Sequence, residues 1–523
     1  MTKKHKKGKR LIILLLLVCV LIGALFGIKL LSQEETDDSE EETSSDGISF
    51  CSLESDDIYK LSIKNDSLEG SFTLKSDTWV YDADNTFPLN SETITGMLST
   101  LESATATQSF TMEDGDETLY GFDEPMTVIS CYNQGGVETK LTIGRHNITS
   151  DEYYLRVNEE NTVYTIGSSV PSAFACDLMD LGEVETIPTL SVYNIKEMYL
   201  KSTERTIHIV STGEYGDDMV GNTTWYIKEP FQETRGLVED TFDDFVEDIT
   251  GLTFTKLADY NVASEDYAKY GLGTNCERKL QFYYTGTDST ASEEETTTTS
   301  DGDTTTKKTT KLLTIYVGNM DETETYYYAR FDISEGIIST DSHRVYLVDA
   351  STIATAVNMN PLQYMYKHVS YARLDDLKSF SVTVDGKTYD FELREVESED
   401  GEESTESETA YEGALVYATR TLEFYLDGRK LDEKKFKTFY QKMIGIYADE
   451  ILYDQSKVKD TEATISMHFE KLDEDDAFAV IDTSFSPYNS GKYQVTTNGT
   501  TEFLVSKNDV SDVLELFYDL IEE

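Results

Sequence analysis

At 523 residues the chain is too long for one ordinary hydrophobic core, so roughly two to four domains are expected. Its 99 Asp and Glu against 44 Lys and Arg give a net charge of −55. A surface that acidic repels phosphate backbones and excludes nucleic acid as a partner. It also disfavours anionic lipid, and its simplest role is a solvated coat that keeps the protein soluble.

Residues 1–10 form a basic tail with Lys3, Lys4, Lys6, Lys7, Lys9 and Arg10, and the first acidic residue is Glu34. From Leu11 to Ile28 no charge interrupts the apolar run. Lys29 can snorkel to the interface, which predicts a transmembrane helix over 11–31. The basic flank places the N-terminus in the cytoplasm and the rest of the chain outside the cell membrane. A cleaved signal peptide fits less well: the apolar run is long and no small-residue cleavage site follows it. Leu17-Val18 before Cys19 also lacks the small residues of a lipoprotein signal. Residues 32–56 then read as an acidic extracellular linker.

The first unit is expected over 57–193. Ile58, Leu61 and Ile63 mark a half-buried strand, and Phe72, Leu74, Trp79 and Tyr81 continue the sheet. Ile94, Met97, Leu98 and Leu101 recur at helical spacing, with Ser91 as N-cap and Pro88 just upstream. Strands follow over 126–132, 137–143, 153–157 and 163–166, the first two joined by a turn at Gln134-Gly135-Gly136. A closing helix is expected over 170–181.

A second unit over 194–375 repeats this order. It opens on Ile195, Met198 and Leu200, reaches Trp225, and continues into a helix with Phe242, Phe245, Val246 and Ile249 on one face. The polar, Thr-rich stretch 286–310 reads as a disordered loop that enlarges a hairpin rather than dividing domains. A third, eroded unit is expected over 376–523, with a disordered loop at 397–410. Phe436, Phe439, Met443, Ile444 and Tyr447 read as one helix face, and Val513, Leu514, Phe517 and Leu520 as a closing helix. The fold class is therefore α+β: tandem units of antiparallel sheet, each with one or two helices, behind an N-terminal transmembrane helix.

A spaced signature distinguishes the first two units. Its first copy is Trp79, Tyr120-Gly121, Gly144, Tyr153-Tyr154-Leu155-Arg156 and Val163-Tyr164. Its second is Trp225, Tyr270-Gly271, Gly318, Tyr327-Tyr328-Ala329-Arg330 and Val345-Tyr346. The third unit has no Trp, no Tyr-Gly and no matching Arg. On a strand, Tyr154 and Arg156 share one face, as do Tyr328 and Arg330. A guanidinium beside a phenol can capture an anion or a sugar. The simpler reading is structural: edge-strand Tyr/Arg pairs brace the sheet, the glycines permit a bulge or tight turn, and the tryptophans anchor the core. Exposed tryptophans would instead be sugar platforms.

No catalytic motif is present, neither a nucleophile elbow, a zinc-protease helix nor a phosphate-binding glycine loop. His5, His146, His208, His343, His368 and His468 show no grouping, and no metal or cofactor site is indicated. Asp82-Ala83-Asp84-Asn85 faintly resembles a calcium loop without its glycine or closing Glu. Cys51, Cys131, Cys176 and Cys276 are widely spaced and read as free thiols. Asn147-Ile148-Thr149 matches a glycosylation sequon.

The signature resembles the bacterial domain-of-unknown-function family DUF4340 over roughly 57–350, with a looser likeness beyond. The resemblance implies an envelope protein of accessory or scaffold type, associated with ABC transporters, and carries no catalytic residues. The expectation is thus a single-pass, membrane-anchored, extracellular, non-enzymatic component of the bacterial envelope with an envelope protein partner, ABC transporter subunits foremost. A glycan or cell-wall ligand-binding module is the alternative, and an unrecognised hydrolase the second alternative.

Overall fold

The computed structural model describes residues 47–113, 115–286, 297–298, 304–305, 309–335, 338–396 and 420–522. The expected tail, membrane span and most of the acidic linker lie outside the described residues, as do most of the Thr-rich loop and the loop at 397–410. None of the described helices is long and apolar enough to cross a membrane.

Three antiparallel sheets follow one another along the chain. The first comprises β1 (Ile58–Asn65), β2 (Glu69–Lys75), β3 (Thr78–Tyr81), helix α1 (Ser91–Ser103), β4 (Ala106–Thr111), the one-turn helix α2 (Glu117–Tyr120), β5 (Thr127–Asn133), β6 (Glu138–Asn147), β7 (Glu152–Val157), β8 (Thr162–Ile166) and helix α3 (Ser169–Phe174). Its order is β3-β2-β1-β5-β6-β7-β8-β4. The opening strand thus lies inside the sheet. The next two strands build outward on one side of it. After α1 the chain jumps to the far edge, and four strands fill the gap from the middle.

The second sheet repeats this plan with β9 (Ile195–Lys201), β10 (Thr206–Asp217), β11 (Asn222–Glu229), β12 (Arg235–Gly236), α4 (Glu239–Thr250), β13 (Phe254–Asp259), β14 (Arg278–Gly286), the ribbon β15–β16 (Thr297–Thr298 with Thr304–Thr305), β17 (Thr309–Met320), β18 (Tyr326–Glu335), β19 (Ile338–Asp341), β20 (Val345–Asp349) and α5 (Ala350–Val357). Its order is β12-β11-β10-β9-β14-β17-β18-β20-β13, with β19 added to β18. Gly286 pairs with Thr309, so the Thr-rich stretch does connect two strands of one hairpin.

The third sheet has the same plan again: β21 (Leu377–Val384), β22 (Lys387–Glu395), β23 (Leu422–Leu426), β24 (Arg429–Lys430), α6 (Glu433–Ile444), β25 (Glu450–Ile451), β26 (Ile465–Lys471), β27 (Val480–Pro487), β28 (Lys492–Thr497), β29 (Thr500–Ser506) and α7 (Lys507–Ile521). Its order is β24-β23-β22-β21-β26-β27-β28-β29-β25. Eroded in sequence, the third unit is intact in topology.

Strand register explains what replaced the missing tryptophan. Trp79 stands opposite Leu74, two residues before the Tyr81–Phe72 pair, and Trp225 stands two residues before the Ile227–Ile209 pair. The same position in the third sheet is Phe424, two residues before the Leu426–Phe391 pair. Trp225 packs on Phe242 of α4 at 5.1 Å, and Phe424 stacks on Phe436 of α6 at 4.0 Å. An aromatic strand residue pressed on the first core turn of the helix is thus common to sheets two and three, whatever its type.

The helix faces are as periodicity predicts: Ile94, Met97, Leu98 and Leu101 of α1 are buried, as are Phe242, Phe245, Val246 and Ile249 of α4. The N-cap of α1 differs by one residue. Asn90 accepts from the backbone N–H of Glu92 at 3.0 Å, while Ser91 Oγ accepts from Trp79 N at 2.9 Å and ties the strand to the helix. The closing helix of the first unit ends at Phe174, and a 3-10 turn at Met179–Leu181 follows. Tyr447 lies beyond α6 and is partly exposed.

The first sheet closes its own core. Sheets two and three share one, running from Ile195 and Trp225 to Phe469 and Phe517. At their junction Glu502, only 3 % exposed, accepts from Arg235 Nη2 at 2.6 Å and from the backbone N–H groups of Gln232 and Glu233, and Phe231 meets Phe503 at 5.8 Å. Sheet one meets sheet two through Phe87 against Tyr260 at 5.0 Å, Tyr260 Oη donating to Asp84 at 2.9 Å, and Lys256 between Asp177 and Asp180 at 2.8 and 2.7 Å.

Candidate functional site

The tyrosines, arginines and glycines of the signature converge where the chain crosses sheets one and two. After β4 the backbone must travel from the sheet edge to its middle before entering β5, and it does so over the face opposite the helices. Leu155 of β7 points into the helix-side core and is fully buried. Tyr154 and Arg156 alternate with it and meet the crossing segment on the other face. There Tyr120 packs edge-on against Tyr154 at 5.1 Å, and the Arg156 guanidinium lies over Phe122 at 5.0 Å. Met112, Phe122 and Val163 form a small buried cluster between them.

Glycine is required at two points of this crossing. Gly121 ends α2 with φ +80°, and a Cβ there would come within 2.7 Å of the Arg145 backbone nitrogen. Gly144 lies under the crossing backbone, where a Cβ would overlap the carbonyl oxygen of Tyr120. The β6–β7 register slips between Ile143 and His146, so the expected bulge is present at Gly144.

The second sheet reproduces the arrangement. Gly271 has φ +74°, a Cβ on Gly318 would overlap the Tyr270 carbonyl, and Tyr270 packs on Tyr328 at 4.9 Å. Arg330 is more tightly held than Arg156. Its guanidinium lies over Tyr316 at 3.9 Å and Tyr267 at 4.6 Å, and donates to Asp332 at 2.7 Å with Asp341 at 3.5 Å. Tyr267 Oη donates to Asp341 at 2.9 Å. Burial pushes the Asp332 carboxyl above the usual carboxylate range. Tyr270 donates to Asp259, which Lys269 also reaches at 2.9 Å.

Two expectations change here. Strands β7 and β18 each lie between two neighbours, so the Tyr–Arg pairs are interior rather than at an edge. And Trp79 and Trp225 are 5 % and 3 % exposed, so neither offers a sugar-stacking platform. The third sheet shows the same crossing made differently. Gln494 stands where Tyr154 and Tyr328 stand, with neighbouring Val495 paired to Phe503 as Leu155 is to Tyr164. It clamps the crossing segment directly, accepting from Lys459 N at 2.9 Å and donating to Lys459 O at 2.7 Å. Ser486 takes the place of the glycine.

Sequence reasoning missed three histidine–carboxylate pairs: His146–Asp151 at 2.9 Å, closed by the β6–β7 turn, and His208–Glu197 at 2.6 Å and His468–Asp482 at 2.7 Å, assembled by strand pairing. For the latter two the signal was alternation on adjacent strands. Tyr199 stacks on His208 at 4.1 Å and donates to Glu197 at 2.8 Å, and burial with that carboxylate pushes its phenol up to about 12. Among the described residues, no three His, Cys, Asp or Glu are placed to hold a metal ion. Asp84 of the calcium-like stretch is occupied by Thr86 and Tyr260. Cys51, Cys131, Cys176 and Cys276 are unbridged, and burial raises all four thiols, Cys131 to about 12.

No curated protein and no solved structure matches the chain. A family model for a domain of unknown function, DUF4340, matches residues 79–272 and 237–464. The matches begin at Trp79 and run into the third sheet, beyond the 57–350 expected from the signature alone. This chain belongs to the DUF4340 family.

Proposed function

We propose that this is a membrane-anchored, extracellular, non-enzymatic component of the bacterial cell envelope that serves as an accessory or scaffold for a membrane protein complex, an ABC transporter system foremost. The observation that carries the reading is the fate of the signature. Its tyrosines, arginines and glycines are engaged inside the sheets, so the residues that recur between units build the scaffold and leave recognition to the outer surface. The shared core of sheets two and three adds to this, because it makes a stiff body suited to holding a partner at a set distance. The acidic surface favours basic protein partners over lipid or nucleic acid.

Crosslinking in intact cells, followed by detergent extraction and mass spectrometry, tests the reading. Transporter subunits should be recovered with the full chain and lost when the ectodomain is deleted but residues 1–46 are kept. Recovery of the protein alone, or with wall fragments only, sinks the proposal and moves the assignment to a ligand-binding module.

A further inference from the structure

We propose that the end of sheet one at which the N-terminal segment enters is a docking surface for an integral membrane protein whose outward face is apolar at its centre and basic at its rim. This rests on the anchored, outward-facing reading above. Four large apolar side chains stand exposed there: Ile148 at 87 %, Leu119 at 57 %, Met126 at 48 % and Ile48 at 38 %. They come from separate stretches that the sheet gathers at one set of strand ends. Ile148 is in the turn between β6 and β7, just past the Asn147–Glu152 pair. Met126 precedes β5, whose Thr127 pairs with Ile143. Leu119 lies on α2, which Arg145 Nη2 ties to β6 by donating to Thr118 O at 2.9 Å. Ile48 bridges Ala106, and Ala106 pairs with Ile166 beside Tyr153. From β5 to β4 this row of strand ends spans about 20 Å at the usual strand spacing.

Two further facts identify what covers it. The first is where the outlying chain arrives. Gly47, adjacent to Ile48, continues from the expected acidic linker, whose residues 32–46 can span at most about 50 Å. The patch is therefore kept close to the bilayer in which the span at 11–31 is expected. The second is charge. Asp123, Glu124 and Asp151 are exposed around the patch, against Arg145 and a His146 already engaged by Asp151 at 2.9 Å. An acidic rim resists insertion among anionic headgroups and complements a basic protein rim. An exposed apolar centre within a polar rim is the anatomy of a protein interface.

The test uses the full-length protein in intact cells with a photocrosslinking residue at position 148. Position 137 is the control, because Val137 is 62 % exposed in the β5–β6 turn at the opposite end of the same sheet. Position 148 should crosslink to an integral membrane protein with basic outward loops, and position 137 should not. Adding Leu119→Ser and Met126→Ser should lower that yield about tenfold without moving the melting temperature, since both side chains are exposed. Crosslinking from 148 to phospholipid only, equal yields from 148 and 137, or an undiminished yield in the double variant each overturns the proposal. If ectodomain-dependent partners are still recovered through other positions, the patch fails and the accessory reading stands. If no partner is recovered from any position, both fail.

Discussion

The carbonyl oxygen of Tyr120 sits against the α-carbon of Gly144, so close that a Cβ would overlap it; Tyr270 and Gly318 repeat the relationship in the second sheet. Both glycines are therefore dictated by a backbone that passes over them. Gly144→Ala and Gly318→Ala should each lift the crossing segment and destabilise the protein by about 2–4 kcal/mol. Denaturant midpoints read the loss, and amide exchange should rise first across 112–126 or 260–277. Ser486→Ala, where no such carbonyl needs room, should change little. Unaltered midpoints in both glycine variants would rule out this account.

Trp225 should be replaceable by Phe at modest cost, because Phe424 already fills that place in the third sheet. We expect about 1–2 kcal/mol for Trp225→Phe and about 3–5 kcal/mol for Trp225→Ala. With Trp79 and Trp225 both buried, the fluorescence of the native protein should be blue-shifted and move red on unfolding. Native emission already at the wavelength of exposed indole would contradict the packing.

Glu502 couples sheets two and three. Replacing Arg235 with Ala leaves its carboxylate buried without the guanidinium, at a cost of about 3–5 kcal/mol. Calorimetry should then show the shared transition of the two sheets at lower temperature or split in two. A single unshifted transition would mean that the apolar core alone joins them.

His368 packs between the rings of Tyr371 at 5.0 Å and Tyr447 at 4.7 Å, and neither ring nitrogen has a hydrogen-bond partner. Burial pushes the imidazole down from 6.5 to about 4. The unfolded chain therefore takes up a proton near pH 6.5, while the folded chain resists until about pH 4. Stability from this group is complete above pH 6.5, falls as pH drops through that window, and is level below it, by roughly 3 kcal/mol in all. Unfolding free energies from denaturant titrations should show wild type losing roughly 3 kcal/mol more than His368→Leu between pH 7 and pH 4. Parallel curves would remove the histidine from the account.

Much of the architecture was legible in the chain because local pattern is a local consequence. Alternation at Ile58, Leu61 and Ile63, and helical spacing at Phe242, Phe245, Val246 and Ile249, report which side of a strand or helix faces apolar neighbours, wherever those neighbours come from. The repeated Tyr-Gly and Tyr-Tyr-x-Arg spacing likewise announced a repeated unit. Strand order, the crossing over the outer face, and the reason for Gly144 were beyond it. Each depends on contacts between residues far apart in sequence, as Tyr120 is from Gly144 and Arg235 from Glu502.

The third unit marks the division most clearly. By residue type it had lost the signature, since no Trp, Tyr-Gly or Arg survives. Its register nevertheless puts Phe424 in the tryptophan's place, Gln494 in the tyrosine's and Ser486 in the glycine's. The sequence by itself determined the repeat, the strands, the helices and the apolar faces, because periodicity is written along one segment. Only the tertiary structure decided which residues do the same work in each sheet. Packing selects for volume, hydrogen bonding and backbone clearance at a point in space, and different side chains can meet that demand.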